Sequence, residues 1–518
     1  MNTRSKALRN TLFSTIGIYT EYVLGMLTSI FIARHLGPAD FGTYSAIIWL
    51  VAMGVAMTNS GTASAVIKFV AELRGGGQEE LIKPTIAYLR RAQRGFLFVV
   101  LAAGAVLFGL AGGHFAPGFN HLLLYAFFVI AIALRAQYML NIGVAKGFED
   151  FRATAVIALV ATPLNLAMVV FAWWLDAEVM ALLVVFLVSS LVFWGMSHSR
   201  TRPLIPSAPA GVILPQELLR RLRRHMRLVA VTVTVGFLVA SEVEVFFLNL
   251  YSDAAAAGQF KVAYQLAAGA AMLVPGVIGA LLLPMMANAL SRGRDIAARR
   301  FVASTSYLML LAAPLAAFGA VFSGPIIVLM YGQAYAPAIP VFAVCLAACA
   351  LTTASQGGSS LLVSADRQGT ILALVVACGV LKIALDVVLI RAWGLRGATV
   401  AYLAVAIVNA AAIFVLAIRS VGMSLEWWRL LRILAAAVIS AAMLVPLLGH
   451  WRPLPTLLVA GSLMAAIYAL LSLVLRCWSS GDIEHLTQLH QRYARGRPRA
   501  LARLLAWSGR EPTNQGVP

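Results

Sequence analysis

The sequence predicts an all-α polytopic membrane protein of about 14 transmembrane helices, on two observations. Of its 518 residues, 61% are hydrophobic and only 12% charged, against roughly 25% charged in globular domains. Apolar stretches long enough to cross a hydrocarbon core of ~30 Å recur from one end to the other, and at about 20 residues per crossing they leave no room for a sizeable soluble domain. The mean hydropathy of +0.87 agrees.

The first span is read at residues 11–33. Arg4, Lys6 and Arg9 precede it as they would a secretory signal, but a cleaved signal has an apolar region of about 7–15 residues. This run continues from Thr11 to Ala33 and is read as a retained span. The others follow at 43–65, 95–112, 121–143, 153–175, 178–197, 227–250, 260–288, 301–322, 337–363, 370–391, 396–418, 430–449 and 454–475. Lys and Arg accumulate in cytoplasmic loops. With both termini cytoplasmic, 34 of the 40 lie inside; Arg34, Lys261, Arg391, Arg396 and Arg452 lie outside, and Lys382 falls within a span. The net charge of +20 is largely a topology signal, and basic stretches facing anionic membrane lipids require no nucleic acid.

Residues 198–226 are the longest interruption, with Pro203, Pro206, Pro209 and Pro215 leading into Arg220, Arg221, Arg223 and Arg224. This basic cytoplasmic linker separates an N-terminal lobe (1–197, spans 1–6) from a C-terminal lobe (227–418, spans 7–12); spans 13–14 (419–476) and a basic cytoplasmic tail (477–518) follow. The lobes read as duplicates. Gly42–Thr43–Tyr44 matches Gly258–Gln259–Phe260, and Leu164–Asn165–Leu166–Ala167 matches Leu381–Lys382–Ile383–Ala384, at nearly the same offset. Both lobes start inside, so they share orientation, as the parallel repeats of transporters do.

Charged residues inside spans carry the functional signal, since each costs about 2.5–3.5 kcal/mol at a helix centre on insertion scales and usually faces a bundle interior or a wet cavity. They are Glu21, Glu242, Glu244, Lys382 and Asp386. Glu21 shares a small or polar stripe with Ser14, Gly17, Gly25 and Thr28: either a cavity wall with a titratable carboxylate, or a close helix contact around a buried neutral Glu. Glu242 and Glu244 would point about 200° apart on one helix, so they cannot share a cavity. The stripe Thr234, Ser241, Glu244 favours Glu244 as the cavity residue and leaves Glu242 to a neighbouring helix or the outer surface. Lys382 and Asp386 are spaced to face each other, as an internal salt bridge or in a substrate or coupling role. Arg34, Lys68 and Arg135 near span ends can snorkel to the interface. Pro163, Pro275, Pro284, Pro314, Pro340 and Pro446 kink apolar runs.

Other chemistry has little support. Gly75–Gly76–Gly77 lacks the Gly-Lys-Ser/Thr of a phosphate-binding loop, which argues against an ATP-driven pump, and the eight His residues form no H-E-x-x-H arrangement. Cys345, Cys349, Cys378 and Cys477 fall in spans or at the last membrane exit and indicate no disulfide framework. No catalytic residue, metal site or cofactor is expected. In the tail, Ile483, Leu486, Leu489 and Tyr493 followed by Arg495, Arg497, Arg499 and Arg503 read as an amphipathic segment on the inner leaflet or as a solvated basic tail.

ARHLGPADFGTYS (Ala33–Ser45) and NSGTASAVIKFVAE (Asn59–Glu72) resemble the start of polysaccharide-biosynthesis oligosaccharide flippases of the multidrug/oligosaccharidyl-lipid/polysaccharide exporter superfamily. The resemblance implies a V-shaped bundle of two six-helix lobes around a central cavity, with spans 13–14 outside the core. It implies a non-enzymatic secondary transporter of the bacterial cytoplasmic (inner) membrane that turns over a polyprenyl-diphosphate-linked oligosaccharide by alternating access, for cell-envelope polysaccharide such as lipopolysaccharide. Glycan polymerases and glycosyltransferases are the expected protein partners. The cationic cavity of such flippases would fall here to Arg34, Lys68, Arg135 or Lys382, as diphosphate ligands. The acids would be protonated, paired or used for H⁺ or Na⁺ coupling, with Glu21 and Glu244 foremost and Glu242 and Asp386 as further candidates. The alternatives are a multidrug/cation antiporter of the same superfamily, against which the last two spans count; a membrane-embedded glycan polymerase or ligase, against which the short outer loops count; and a non-transporting scaffold.

Overall fold

The computed structural model describes residues 3–59, 61–115, 119–207, 212–240, 242–273, 276–449, 452–494 and 506–507; among them the regular structure is helical, with no strand. Among the described residues, ten segments are long and apolar enough to cross a membrane. Two of these, Tyr19–Thr58 and Gln368–Val421, each take in two of the spans read from sequence. The predicted spans 7 and 8 are absent from the ten: span 7 is broken at Glu242 between two helices, and residues 274–275 of span 8 lie outside the described residues.

The chain divides into two compact units, unit 1 comprising Met1–Val262 with Val375–Ala398 and unit 2 comprising Ala263–Leu374 with Thr399–Pro518. Unit 1 thus includes stretches, 227–262 and 375–398, that the linker-based reading assigns to the C-terminal lobe.

In unit 1, α1 (Thr3–Thr58) carries the first two predicted spans, interrupted at Gly37 (φ 71°, ψ 177°), a backbone conformation that suits only glycine, with Pro38 following. The second span ends at Thr58 rather than residue 65; the chain turns through Gly61 (φ 75°) and restarts as the short α2 (Thr62–Gly75). α3 (Ile82–Phe115), α4 (His121–Gly147), α5 (Phe151–Trp174) and α6 (Val179–Thr201) follow, with α1 against α5 and α4 against α2 and α6. The α2–α4 contact is close because Gly143 and Gly147 present bare backbone to Ala63 and Val66, a small-xxx-small contact.

The linker read as basic and cytoplasmic is more than a solvated charge run. From Gln216 it is helical (α7, Gln216–Ala240), with Leu218, Leu222 and Met226 at i, i+4, i+8 buried among Val66, Phe69, Val70, Ile86 and Leu89, while Arg220, Arg221, Arg223 and Arg224 stay exposed. Pro209 lies outside the described residues. α8 (Val243–Tyr251) and α9 (Ala254–Leu273) complete the first segment of this unit, α9 running to its edge.

Unit 2 is built around α11 (Arg294–Val321), which packs on α13 (Ala338–Ser364) and α16 (Trp427–Ala442); α10 (Gly276–Arg292) and α12 (Ser323–Tyr331) flank it, and Pro275 lies outside the described residues. Predicted spans 13 and 14 are α16 and α17 (Pro453–Val474). Ile433, Ala436 and Ala437 pack with Leu310 and Ala313, and Ala460 and Met464 pack with Phe322 and Ala441. In the tail, α18 (Ser480–Ala494) buries Ile483; the side chains of Leu486, Leu489 and Tyr493, and Arg495, Arg497, Arg499 and Arg503, lie outside what is described.

α14 (Gln368–Leu385) passes through a π turn at Asp386–Ile390 into α15 (Arg391–Val421), which is interrupted at Gly394 (φ 54°). These helices carry predicted spans 11 and 12.

Candidate functional site

Four of the charged span residues converge within unit 1. Glu242 precedes α8 with φ −74° and ψ 61°, off the helix, and Glu244 occupies the first turn of α8. Glu242 pairs with Lys261 of α9. Glu244 Oε1 lies 3.2 Å from Lys382 Nζ of α14. Glu244 is 0% exposed and Lys382 1%, so this ion pair is removed from solvent.

The pairing differs from the sequence reading in three ways. Span 7 is not one continuous helix at Glu242, so the helical-wheel opposition of Glu242 and Glu244 does not apply; they part because the chain leaves helical geometry between α7 and α8. Glu244, favoured from its stripe as facing a cavity, is buried, and Ser241 of that stripe lies outside the described residues. Lys382 takes Glu244 rather than Asp386 as its ion-pair partner: Asp386 begins a π turn, whose i→i+5 bonding departs from the i,i+4 register. Both Asp386 oxygens are buried, with no hydrogen-bond partner among the described residues.

Unit 1 therefore holds three carboxylates (Glu242, Glu244, Asp386) and two ammonium groups (Lys261, Lys382) in mutual electrostatic range. With every group ionised the cluster carries one unmatched negative charge, and an unpaired buried charge is strongly disfavoured. The arrangement has room, electrostatically, for one proton or one monovalent cation.

A second charged centre lies on α4. The Arg135 guanidinium sits 4.8 Å and 4.9 Å from the rings of Phe186 and Phe193 on α6, and its Nε donates to Ser190 Oγ between them at 2.9 Å. Residues 186, 190 and 193 fall on one face of α6, so a single helix supplies both aromatic faces and the acceptor. Glu21, Tyr44 and Tyr138 complete its electrostatic surroundings. Arg135 is thus held within the helix bundle by its own fold rather than snorkelling freely.

Glu21 is exposed on α1, which removes the buried neutral alternative for its side chain, although Gly17 in the same stripe does make a close contact with Ala155 of α5. Thr28 is buried, donating to Leu24 O at 2.7 Å; the Ser14 side chain lies outside what is described. Arg34 is exposed, just before the interruption at Gly37. Lys68 is exposed on α2 with its Nζ 5.3 Å from the centre of the Phe69 ring, which Arg221 of α7 also approaches at 5.4 Å; Arg221 in turn pairs with Glu72 at 2.7 Å.

Lys261, Ser190 and the Phe186/Phe193 pair were missed from sequence. Lys261 was assigned to the outer side as one more loop-end cation; its role depends on a partner 19 residues away. The Phe-x3-Ser-x2-Phe spacing on α6 was legible but has no meaning until α4 is packed beside it.

A family model described as polysaccharide biosynthesis protein matches residues 7–290, more than half of the chain. Among solved structures, the chain is similar to a lipid II flippase MurJ in an inward closed conformation: TM-score 0.71, 12% identity, covering 90% of this chain and 98% of that one. It is also similar to an inward-facing multidrug resistance MATE family transporter of the MOP superfamily (0.63, 14%, 79% and 98%). A MOP superfamily transporter from Pyrococcus furiosus, described by the reverse polarity of its binding pocket, is a more distant likeness (0.50, 12%, 82% and 96%). A search of curated proteins finds no significant match. At these identities the structural likenesses speak for the fold.

Proposed function

The chain belongs to the polysaccharide biosynthesis protein family, and on that premise we propose that it is a flippase for a polyprenyl-diphosphate-linked oligosaccharide, working by alternating access. It is a multi-pass membrane protein with a flippase and transporter fold. The observation that carries the finer reading is how far the likenesses extend. The likeness to the lipid II flippase covers 90% of this chain and that to the multidrug transporter 79%. The wider likeness to a flippase, together with the polysaccharide biosynthesis family, supports a lipid-linked cargo over multidrug/cation antiport.

On this reading the protein resides in the bacterial cytoplasmic membrane with both termini inside, and meets its cargo beside the glycosyltransferases that build it and the polymerase that consumes it. Arg34, Lys68 and Arg135 are the cations proposed to meet the diphosphate, and Lys382 engages it when released from Glu244. Coupling is assigned to the cluster of Glu244, Asp386 and Glu242, whose unmatched charge supports uptake of H⁺ or Na⁺, with Glu21 beside Arg135 as a second titratable group.

The test is substrate flipping in sealed proteoliposomes loaded with a fluorescent polyprenyl-diphosphate oligosaccharide, under imposed pH and Na⁺ gradients. Protein-dependent movement is expected, accelerated by one of the gradients. Export of a cationic dye with a stationary lipid would give the multidrug reading instead.

A further inference from the structure

At one end of unit 1, α3, α4 and α6 enclose a cavity of about 230 Å³ that has no part in the charged clusters above. Each helix contributes a pair of side chains one turn apart, Arg90 and Arg94, Gln137 and Asn141, Trp194 and His198, with Gln93 and Leu140 completing the lining. Its floor is fixed by Gln93, 4% exposed, which donates to Asn59 Oδ1 at 2.7 Å and Ala136 O at 2.8 Å. Asn141 is held by Ser197 Oγ at 3.1 Å and accepts from Arg90 at 3.4 Å; the Trp194 indole donates to Gln137 at 3.2 Å. These are neutral partners. Among the described residues neither Arg90 nor Arg94 forms an ion pair.

Two guanidinium groups at i,i+4 repel each other unless an anion lies between them. The position narrows that anion. All three helices have the ends nearest these residues on the side that the Lys/Arg distribution makes cytoplasmic, within about three turns of Ile82, Gly147 and Thr201. Trp is enriched at that interfacial depth. Basic pockets between transmembrane helices at the cytoplasmic side take anionic lipid headgroups. Size narrows it further: drug-sized ligands occupy about 300–1,000 Å³, so this cavity holds a phosphate group but not an oligosaccharide.

We propose that this cavity binds the phosphate headgroup of a lipid in the cytoplasmic leaflet, with Arg90 and Arg94 on the phosphate oxygens and His198 and Trp194 flanking it. The lipid is either an anionic phospholipid of the membrane or a polyprenyl diphosphate. The site stands whether or not the chain transports that lipid, because it is argued from headgroup chemistry alone.

Native mass spectrometry of the delipidated full-length protein tests it, with phosphatidylglycerol, polyprenyl diphosphate and zwitterionic phosphatidylcholine as separate probes. The expected result is that Arg90→Gln/Arg94→Gln retains one fewer anionic lipid than the wild type and binds it at least tenfold more weakly, while Arg299→Gln, at an exposed cation of α11 in unit 2, matches the wild type. Loss confined to phosphatidylglycerol identifies a resident phospholipid, loss confined to polyprenyl diphosphate identifies a cargo site, and loss of both identifies a general lipid-phosphate site. Equal retention of both by wild type and variant overturns the proposal. Should the double variant not fold, a photoreactive phosphatidylglycerol and a photoreactive polyprenyl diphosphate are crosslinked to the wild type. Labelling of α3, α4 or α6 peptides near the cavity supports the site, and labelling by both probes only elsewhere overturns it.

Discussion

Gly42 and Gly258, the two glycines aligned by the internal repeat, pack backbone to backbone within unit 1. A Cβ on Gly42 would fall 1.7 Å from the carbonyl oxygen of Ala254, and one on Gly258 would fall 2.1 Å from that of Pro38. Residues 38 and 254 are themselves equivalent at the offset that relates 42 to 258, so each glycine meets the residue four positions before the other. Gly42→Ala and Gly258→Ala are each expected to lower stability by about 1–3 kcal/mol, because the obstructing atoms are backbone and cannot rotate away. Gly25→Ala, where a Cβ meets nothing within 4 Å, is expected to change it by less than about 0.5 kcal/mol. Thermal unfolding in one detergent compares the three; equal melting temperatures would contradict the close approach.

Lys382→Met leaves Glu244 without the ammonium that faces it at 3.2 Å and leaves Asp386 beside it. Breaking a buried pair by removing one partner costs about 3–5 kcal/mol, whereas removing both charges is often near neutral. Lys382→Met is therefore expected to lose most of its folded yield, and Lys382→Met/Glu244→Gln to recover a large part of it. A double variant no better than the single one would show that the pair has little mutual interaction.

Asp386→Asn keeps the shape of the side chain and removes the charge in excess. Its buried oxygens have no hydrogen-bond partner among the described residues to lose, so near wild-type folding is expected. If the cluster couples transport, flipping in proteoliposomes persists but no longer responds to the pH or Na⁺ gradient that drives the wild type. An unchanged gradient response in Asp386→Asn would move coupling elsewhere, with Glu21→Gln as the next variant to assay.

Arg135→Lys tests whether Arg135 holds the fold or the cargo. Lysine cannot reproduce a guanidinium placed between two rings while donating sideways to a hydroxyl. A structural role predicts a drop in melting temperature for Arg135→Lys, a smaller one for Ser190→Ala of about 1 kcal/mol or less, and an unchanged apparent affinity for lipid-linked substrate. A cargo contact reverses that pattern: unaltered melting with weakened substrate binding.

The sequence was most legible where a helix is long, apolar and regular. Spans 3 to 6 and 9, 10, 13 and 14 are each matched by a single apolar helix, because twenty apolar residues have few other solutions in a bilayer. It was least legible where the backbone departs from the 3.6-residue period. The end of span 2 near Gly61, the non-helical Glu242 and the π turn at Asp386 each shift a helical face, and with it the partner of a charged side chain. All four charged residues inferred for spans 7 and 11 lie in one charged cluster. Their pairing depended on Lys261 and on contacts between helices far apart in sequence, which no wheel drawn on one helix contains.

Asp482, beyond the last span, gives a pH prediction outside the membrane. Burial alone would raise its carboxyl, but hydrogen bonds from Ser479, through its hydroxyl and its backbone N–H, and from the Tyr307 hydroxyl at 2.6 Å hold it below the usual carboxylate range. A carboxyl whose folded value is depressed contributes stability that is fully present above the unfolded value of about 3.9 and is lost as pH falls through the folded value. The contacts tie the first turn of α18 to α11, so docking of α18 is expected to hold at neutral pH and to weaken below about pH 4. Asp482→Asn should reproduce the weakening at pH 7. The charge-assisted hydrogen bonds lost are partly exposed and worth on the order of 1 kcal/mol, which corresponds to about fivefold faster amide exchange over 480–494. Hydrogen exchange of the wild type and Asp482→Asn at pH 7 measures it directly, and equal protection in the two would mean that α18 is held by Ile483 and its apolar neighbours alone.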